Sequence, residues 1–167
     1  MSSTPEQADH QLRPFQQADL PQLLRVYGEA VRSQCPGLYS PQQVQAWARH
    51  PLQHSAVAAA IERGWCLVNP VLPSAAAIAA FGVLEPLDRL SLLYCEGRWS
   101  RQGRANALLA ALEEHARSQG VPRLRTEASQ LSRPLLLRRG WQIDAEETVL
   151  FAGVSFVRWR MAKPLQN

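Results

Sequence analysis

The stretch Cys95–Leu109, CEGRWSRQGRANALL, joins an apolar, strand-like run to the most regular helical run of the chain. A loop carrying Gly97 and Gly103 opens directly into a helix expected over Arg104–Gln119, whose stripe is Ala105, Leu108, Leu109, Leu112 and Ala116. The first N–H groups of a helix have no intrahelical partner and point outward with the positive end of the macrodipole. Such a terminus can seat a phosphate. Gly103 lets backbone approach a ligand without a Cβ in the way, and Ala105 is the next smallest choice. Arg98, Arg101 and Arg104 recur every third residue, and each can add a charge-assisted contact. Taken alone, the same residues also fit a capped core helix with solvated arginines.

Working outward, the charge pattern agrees with an anionic ligand. Arg89–Arg139 holds ten arginines against four acids (Glu96, Glu113, Glu114, Glu127), a balance of +6 in a chain of net charge +4. Basic charge gathered in one segment suits a phosphorylated ligand, a nucleic acid or simply a solvated face. The segment lacks the interleaved aromatics and the helix-turn-helix signal of a nucleic-acid binder, so no nucleic-acid partner is expected. At 167 residues, the chain is about one domain long. Cys35, Cys66 and Cys95 are odd in number, about thirty residues apart and without a CxxC pair, which speaks for a reducing compartment. His50 and His54 are four residues apart, but Pro51 between them is expected to interrupt the helix, and no metal role is expected. No apolar run reaches membrane-spanning length, and the polar start MSSTPEQADHQ lacks the apolar core of a secretory signal. A cytoplasmic protein is expected, with residues 1–9 a disordered tail and 10–167 one domain.

The remaining elements follow from caps, breakers and periodicity. A short strand is expected near Gln11–Arg13, then a helix capped by Asp19 with Pro21 in its first turn. Ser40-Pro41 repeats the signal for a second helix carrying Val44, Trp47 and Ala48, and a third runs from Ser55 to Gly64. Strands are expected at Trp65–Asn69, Ala76–Leu84 and Leu90–Glu96, and after the long helix at Leu124–Ser129, Trp141–Leu150 and Val154–Ala162, with a short helix at Leu131–Arg139. Strands and helices alternating over one mixed sheet give an α/β or mixed α+β class.

The loop and its helix resemble the signature Q/R-x-x-G-x-G/A of the GNAT N-acetyltransferases. Leu93-Tyr94-Cys95 matches the strand end that precedes it; Ser100, Gly103 and Ala105 take the signature positions without a gap; Leu108-Leu109 match the following helix. Ser129, Ser132, Leu135, Leu136, Gly140 and Trp141 fall on the downstream pattern N-x-x-A-x-x-F-Y-x-x-x-G-F, and LRPFQQADLPQLLRVY, YSPQQVQAWA and VRWRMAKPL resemble the opening, a second helix and the last strand of a bacterial single-domain branch.

The resemblance implies a central mixed, mostly antiparallel sheet, flanked by helices, with the fourth and fifth strands splayed apart. It implies acetyl-CoA as cosubstrate. Ser100, Arg101, Gln102, Gly103, Arg104, Ala105 and Asn106 would cradle its pyrophosphate, and Leu93, Tyr94 and Cys95 would hold the pantetheine arm, with Ser129 near it. A primary amine of a small molecule or peptide would attack the thioester directly in a ternary complex. Ser129 stands where the pattern has Asn, Leu136 where it often has the Tyr that protonates the departing thiolate, and Ser91 where relatives carry an acidic base. Glu127, which shares a strand face with Ser129, and Glu96 at its strand's end are the remaining candidate bases. Glu127 can equally pair with Arg125 or Arg139, and Glu96 with Arg98 or Arg101. Cys95 has no His at a spacing that would activate it. The vacant acid and base positions also admit an acyl-CoA-binding sensor or regulatory protein with little turnover. Oligomeric state is open, a homodimer included.

Overall fold

A computed structural model describes residues 11–72 and 77–165. The expected N-terminal tail and Ala76, the expected first residue of a strand, lie outside the described residues. The element order is β1 (Arg13–Pro14), α1 (Leu20–Gln34), α2 (Pro41–Gln53), α3 (Ala56–Arg63), β2 (Trp65–Pro70), β3 (Ile78–Leu84), β4 (Leu90–Cys95), α4 (Arg104–Ser118), β5 (Arg123–Ala128), α5 (Arg133–Arg138), β6 (Gln142–Phe151) and β7 (Val154–Pro164).

Local chemistry explains most boundaries. Ser40 Oγ accepts from Gln43 N at 3.1 Å while Gln43 Oε1 accepts from Ser40 N at 2.9 Å, a reciprocal cap that starts α2 with Pro41 in its first turn. Asp19 departs from the expected cap. Its carboxylate takes two bonds from the Arg13 guanidinium, at 2.8 and 2.9 Å, and one from Gln16 N at 2.8 Å, which closes the turn before α1. Pro51 does not end α2 as expected. The helix runs through it to Gln53, because a proline in the last turn removes one hydrogen bond and little helix remains to be kinked. The His50 and His54 rings therefore lie together, with centroids 4.9 Å apart.

Strands β1-β2-β3-β4 form one antiparallel sheet and β5-β7-β6 another. The two join at the roots of β4 and β5, which run parallel. Arg89 and Arg125 form a parallel bridge, Arg125 N donates to Asp88 O at 3.0 Å, and the Thr126 hydroxyl donates to Leu90 O at 2.6 Å. Beyond that root the strands part, as the splayed arrangement requires. One core lies on the α4 face, with Leu108, Leu109, Leu112, Leu124 and Trp141 buried. The other lies under α1–α3, with Leu23, Val26, Tyr27, Ile61 and Phe81. Both faces of the first sheet are thus covered, which explains why β3 is buried along its whole length.

Candidate active site between the parted strands

The gap left by β4 and β5 holds a cavity of about 190 Å³. Leu93, Tyr94 and Cys95 line it from β4, Glu127 and Ser129 from the β5 side, and Ala105 from α4. A groove along the preceding loop, bordered by Ser100, Arg101, Gly103 and Asn106, runs into this cavity past Cys95 and Ala105. The sequence-expected cofactor residues are therefore brought together, with Gln102 exposed beside them.

Their side chains divide into separate tasks. Gly103 has φ +83°, a left-handed conformation open to glycine, and turns the chain into α4. The first ladder bond of α4 is Ala107 N to Gly103 O, so the amides of Arg104, Ala105 and Asn106 precede the ladder at the helix mouth. Gly97 serves packing: a Cβ there would lie 2.4 Å from Ser33 Oγ, and its N–H donates to Glu29 Oε2 at 3.0 Å. Ser100 turns inward and donates to Gly97 O at 2.7 Å. The expected trio of phosphate-facing arginines is reduced to one. The Arg104 guanidinium is buried, donates to Asn69 Oδ1 at 2.6 Å and stacks on Trp99. Arg98 lies on the other contact to Trp99 and donates to Glu96 at 2.9 Å. Arg101, exposed and at φ +59°, borders the groove. Asn106 Oδ1 accepts from Arg139, whose guanidinium also binds the buried Glu113 at 2.7 Å.

On β4, Leu84 opposes Leu90 while Val83 opposes Leu92, so Ser91 is the extra residue of a bulge. Its hydroxyl donates to Val83 O at 3.3 Å. Cys95 O accepts from the Gln34 side chain. The Cys95 thiol is pushed up to about 11 by burial, which keeps it protonated. Ser129 and Ser132 exchange reciprocal backbone-to-hydroxyl bonds at 3.0 and 3.1 Å, holding the turn into α5. Leu136 is buried in the α4-side core.

The two candidate carboxylates have different surroundings. Glu96 is 2% exposed and lies between Arg25 and Arg98, tying α1 to the loop away from the gap. Glu127 faces the gap, and its partner is Arg89, whose Nε donates to Oε2 at 3.0 Å. Arg125 pairs with Asp88 and Arg139 with Glu113, so neither alternative expected from the sequence holds Glu127.

A second cavity of about 290 Å³ opens on the α2 side of the gap. Tyr39, Trp47, His50, Tyr94, Phe151 and Phe156 give it an aromatic lining. Trp47 Nε1 donates to the Tyr94 hydroxyl at 3.1 Å, and burial pushes that phenol up to about 12, so it stays protonated. Trp47, Ser91, Tyr94, Glu127 and Ser129 line both cavities and mark their junction. The sequence pointed to Ser91, Tyr94, Glu127 and Ser129 but offered no signal that Tyr39, Phe151 and Phe156, from the α1–α2 loop and the β6–β7 hairpin, would join them. Among the described residues, no cluster of three His, Cys, Asp or Glu is placed to hold a metal ion, and no helix is long and apolar enough to cross a membrane. The helix-start amides beside Gly103 and the cleft that continues into the gap fit a pyrophosphate with a long narrow arm, the form of a coenzyme A.

The chain is 26% identical over 152 residues to the uncharacterized N-acetyltransferase YafP of Escherichia coli K12, covering 90% of this chain and 93% of that protein. Its fold superposes on a GCN5-related N-acetyltransferase from Rhodopseudomonas palustris with a TM-score of 0.88 at 22% identity, covering 95% and 97% of the two chains. The PaiA N-acetyltransferase from Thermoplasma acidophilum, solved in complex with coenzyme A, superposes with a TM-score of 0.72 at 17% identity, covering 92% and 98%. The family model of the acetyltransferase (GNAT) domain matches residues 37–163. With most of its length inside that match and the parted strands in place, the chain belongs to the GNAT acetyltransferases.

Proposed function

We propose that the protein is an acetyl-CoA-dependent N-acetyltransferase whose acceptor is the primary amine of a small molecule or peptide. The carrying observation is that two cavities, one continuous with the Gly103 groove and one lined by aromatic rings, meet at Tyr94, Ser91, Glu127 and Ser129. The coenzyme A in the Thermoplasma relative supports the cosubstrate. Acetyl-CoA supplies an activated thioester, and this chain's residues do the rest. The amides of Arg104–Asn106 and the exposed Arg101 bind the pyrophosphate, and the edge of β4 beyond Leu90, which pairs with no strand among the described residues, orients the arm.

An alkylamine is mostly protonated at neutral pH and attacks only as the free base. Glu127 Oε1, which has no hydrogen bond among the described residues, takes that proton directly or through a water. Arg89 on Oε2 orients the carboxylate, and removing water around the amine shares the task. The departing sulfur needs a proton that Leu136 cannot give. The Tyr94 phenol, which accepts from Trp47 and keeps its own proton at the junction, supplies it. The reading is tested by following thiol release from acetyl-CoA with a panel of primary amines and identifying the acetylated product by mass. Binding of CoA with no thiol released above the amine-free rate would favour the sensor reading that Leu136 also allows.

A further inference from the structure

The aromatic cavity constrains the acceptor, on the reading that the amine enters the gap from this side. Its rings brace one another and still leave space. Tyr39 meets Trp47 edge-on at 5.3 Å, Trp47 meets Phe156 at 6.2 Å, Phe151 meets Phe156 at 5.7 Å, and His50 lies 4.5 Å from Phe151. A groove of about 290 Å³ with such walls presents apolar surface that a ligand would cover.

The charges facing this space are Arg89, Arg158 and Glu127. Arg89 donates to Glu127 at 3.0 Å, and Arg158 donates to Glu147 at 2.6 Å. Glu147 also takes Arg160 at 3.2 Å, so the wall carries more cation than anion, and the only carboxylate lining it, among the described residues, is paired with Arg89. A second ammonium would find no spare anion and two guanidinium groups facing the same space. His50 is held below its usual range by burial and by His54, so it adds no charge at neutral pH.

We infer that the acceptor is a primary monoamine whose remaining body is apolar and carries no second ammonium. The amine sits at the junction beside Tyr94 and Glu127, and the apolar body fills the space bordered by Trp47 and Phe156. Water displaced from these walls also lowers the cost of presenting the amine unprotonated.

The test uses the full chain and matched acceptors: phenethylamine, hexylamine, methylamine and spermidine, compared by thiol release at one pH. Each is also titrated in the presence of saturating CoA, with the melting temperature as a readout that needs no turnover. Phenethylamine and hexylamine are expected to exceed methylamine in kcat/KM by about 10- to 100-fold, the worth of burying a ring-sized apolar group. They should exceed spermidine on the order of 100-fold. Val157→Asp, at a partly exposed wall position, should move the preference toward spermidine with the fold intact. A preference for spermidine in wild type, in rate or in melting temperature, overturns the inference. So does the absence of any preference. If no amine is acetylated but phenethylamine alone raises the melting temperature of the CoA complex, the acceptor inference stands and the proposed turnover fails.

Discussion

On the α4 side of the gap, the residues proposed to hold the pyrophosphate are consecutive, Ser100 to Asn106, and their proposed working groups are backbone amides, with α1 and α5 walling the groove. On the α2 side, the cavity is built by side chains from Tyr39, Trp47, Tyr94, Phe151 and Phe156, which span more than a hundred positions of the chain. The first is a local device, in which a left-handed glycine and a helix start suffice to aim the amides. The second exists only once the β6–β7 hairpin has folded against α2. A local backbone site changes little when its surroundings change, whereas a cavity of side chains can be reshaped one residue at a time. The two sides should therefore fail independently when mutated.

Gly103→Glu gives the largest expected effect. It forces a side chain into a left-handed position and adds negative charge beside the pyrophosphate seat. Stabilisation by CoA should vanish, while phenethylamine still quenches the fluorescence of Trp47; CoA stabilisation equal to wild type would put the ligand elsewhere. Next, Glu127→Gln and Tyr94→Phe keep the shape of the junction and remove its proton acceptor and donor. Each should lower the rate at saturating substrates by roughly 10²- to 10⁴-fold with CoA affinity nearly unchanged. Wild-type turnover in Glu127→Gln would leave desolvation and water to take the proton.

Glu113 tests the support beneath the cofactor side. It is 3% exposed at its side chain and accepts from Arg139, Trp141 and Lys163, latching α4 to the end of the second sheet. Glu113→Gln should cost about 3 kcal/mol of stability, as expected when one member of a buried pair is removed. Burial raises its pKa, but the bonds from Arg139, Trp141 and Lys163 outweigh burial and hold it below the ordinary 4.5. A depressed folded pKa means the stabilisation is fully present above about 4.5 and is lost as pH falls through the folded value. The difference in melting temperature between wild type and Glu113→Gln should therefore shrink on acidification below that point. The smallest effect is expected of Arg101→Ala, an exposed contact worth on the order of 1 kcal/mol, read as a roughly fivefold weaker CoA affinity at low salt.

The same contrast explains what could be read before the structure. The Ser40-Pro41 start and the Gly103 entry to α4 follow from capping and φ preferences that span a few residues. The partners of charged side chains do not. Arg104 sits at the right spacing to face a phosphate, yet side chains at a helix start lean back along the axis, and Asn69 and Trp99 await it there. Glu127 finds Arg89 because β4 and β5 share a parallel root, a pairing between residues 38 positions apart that no periodicity announces. Glu96 became a tether for α1 because Arg25 lies across from it, 71 positions earlier in the chain.

The central claim is that the parted strands and the Gly103 loop form one seat for coenzyme A. Its most direct test is the melting temperature of the full chain with and without CoA, repeated with Gly103→Glu. A ligand at a hundred times its dissociation constant adds about 2.7 kcal/mol to the stability of the state it binds. The account predicts a clear upward shift for wild type with CoA or acetyl-CoA and none for Gly103→Glu. No shift for wild type at millimolar CoA, or the same shift in both proteins, would contradict it.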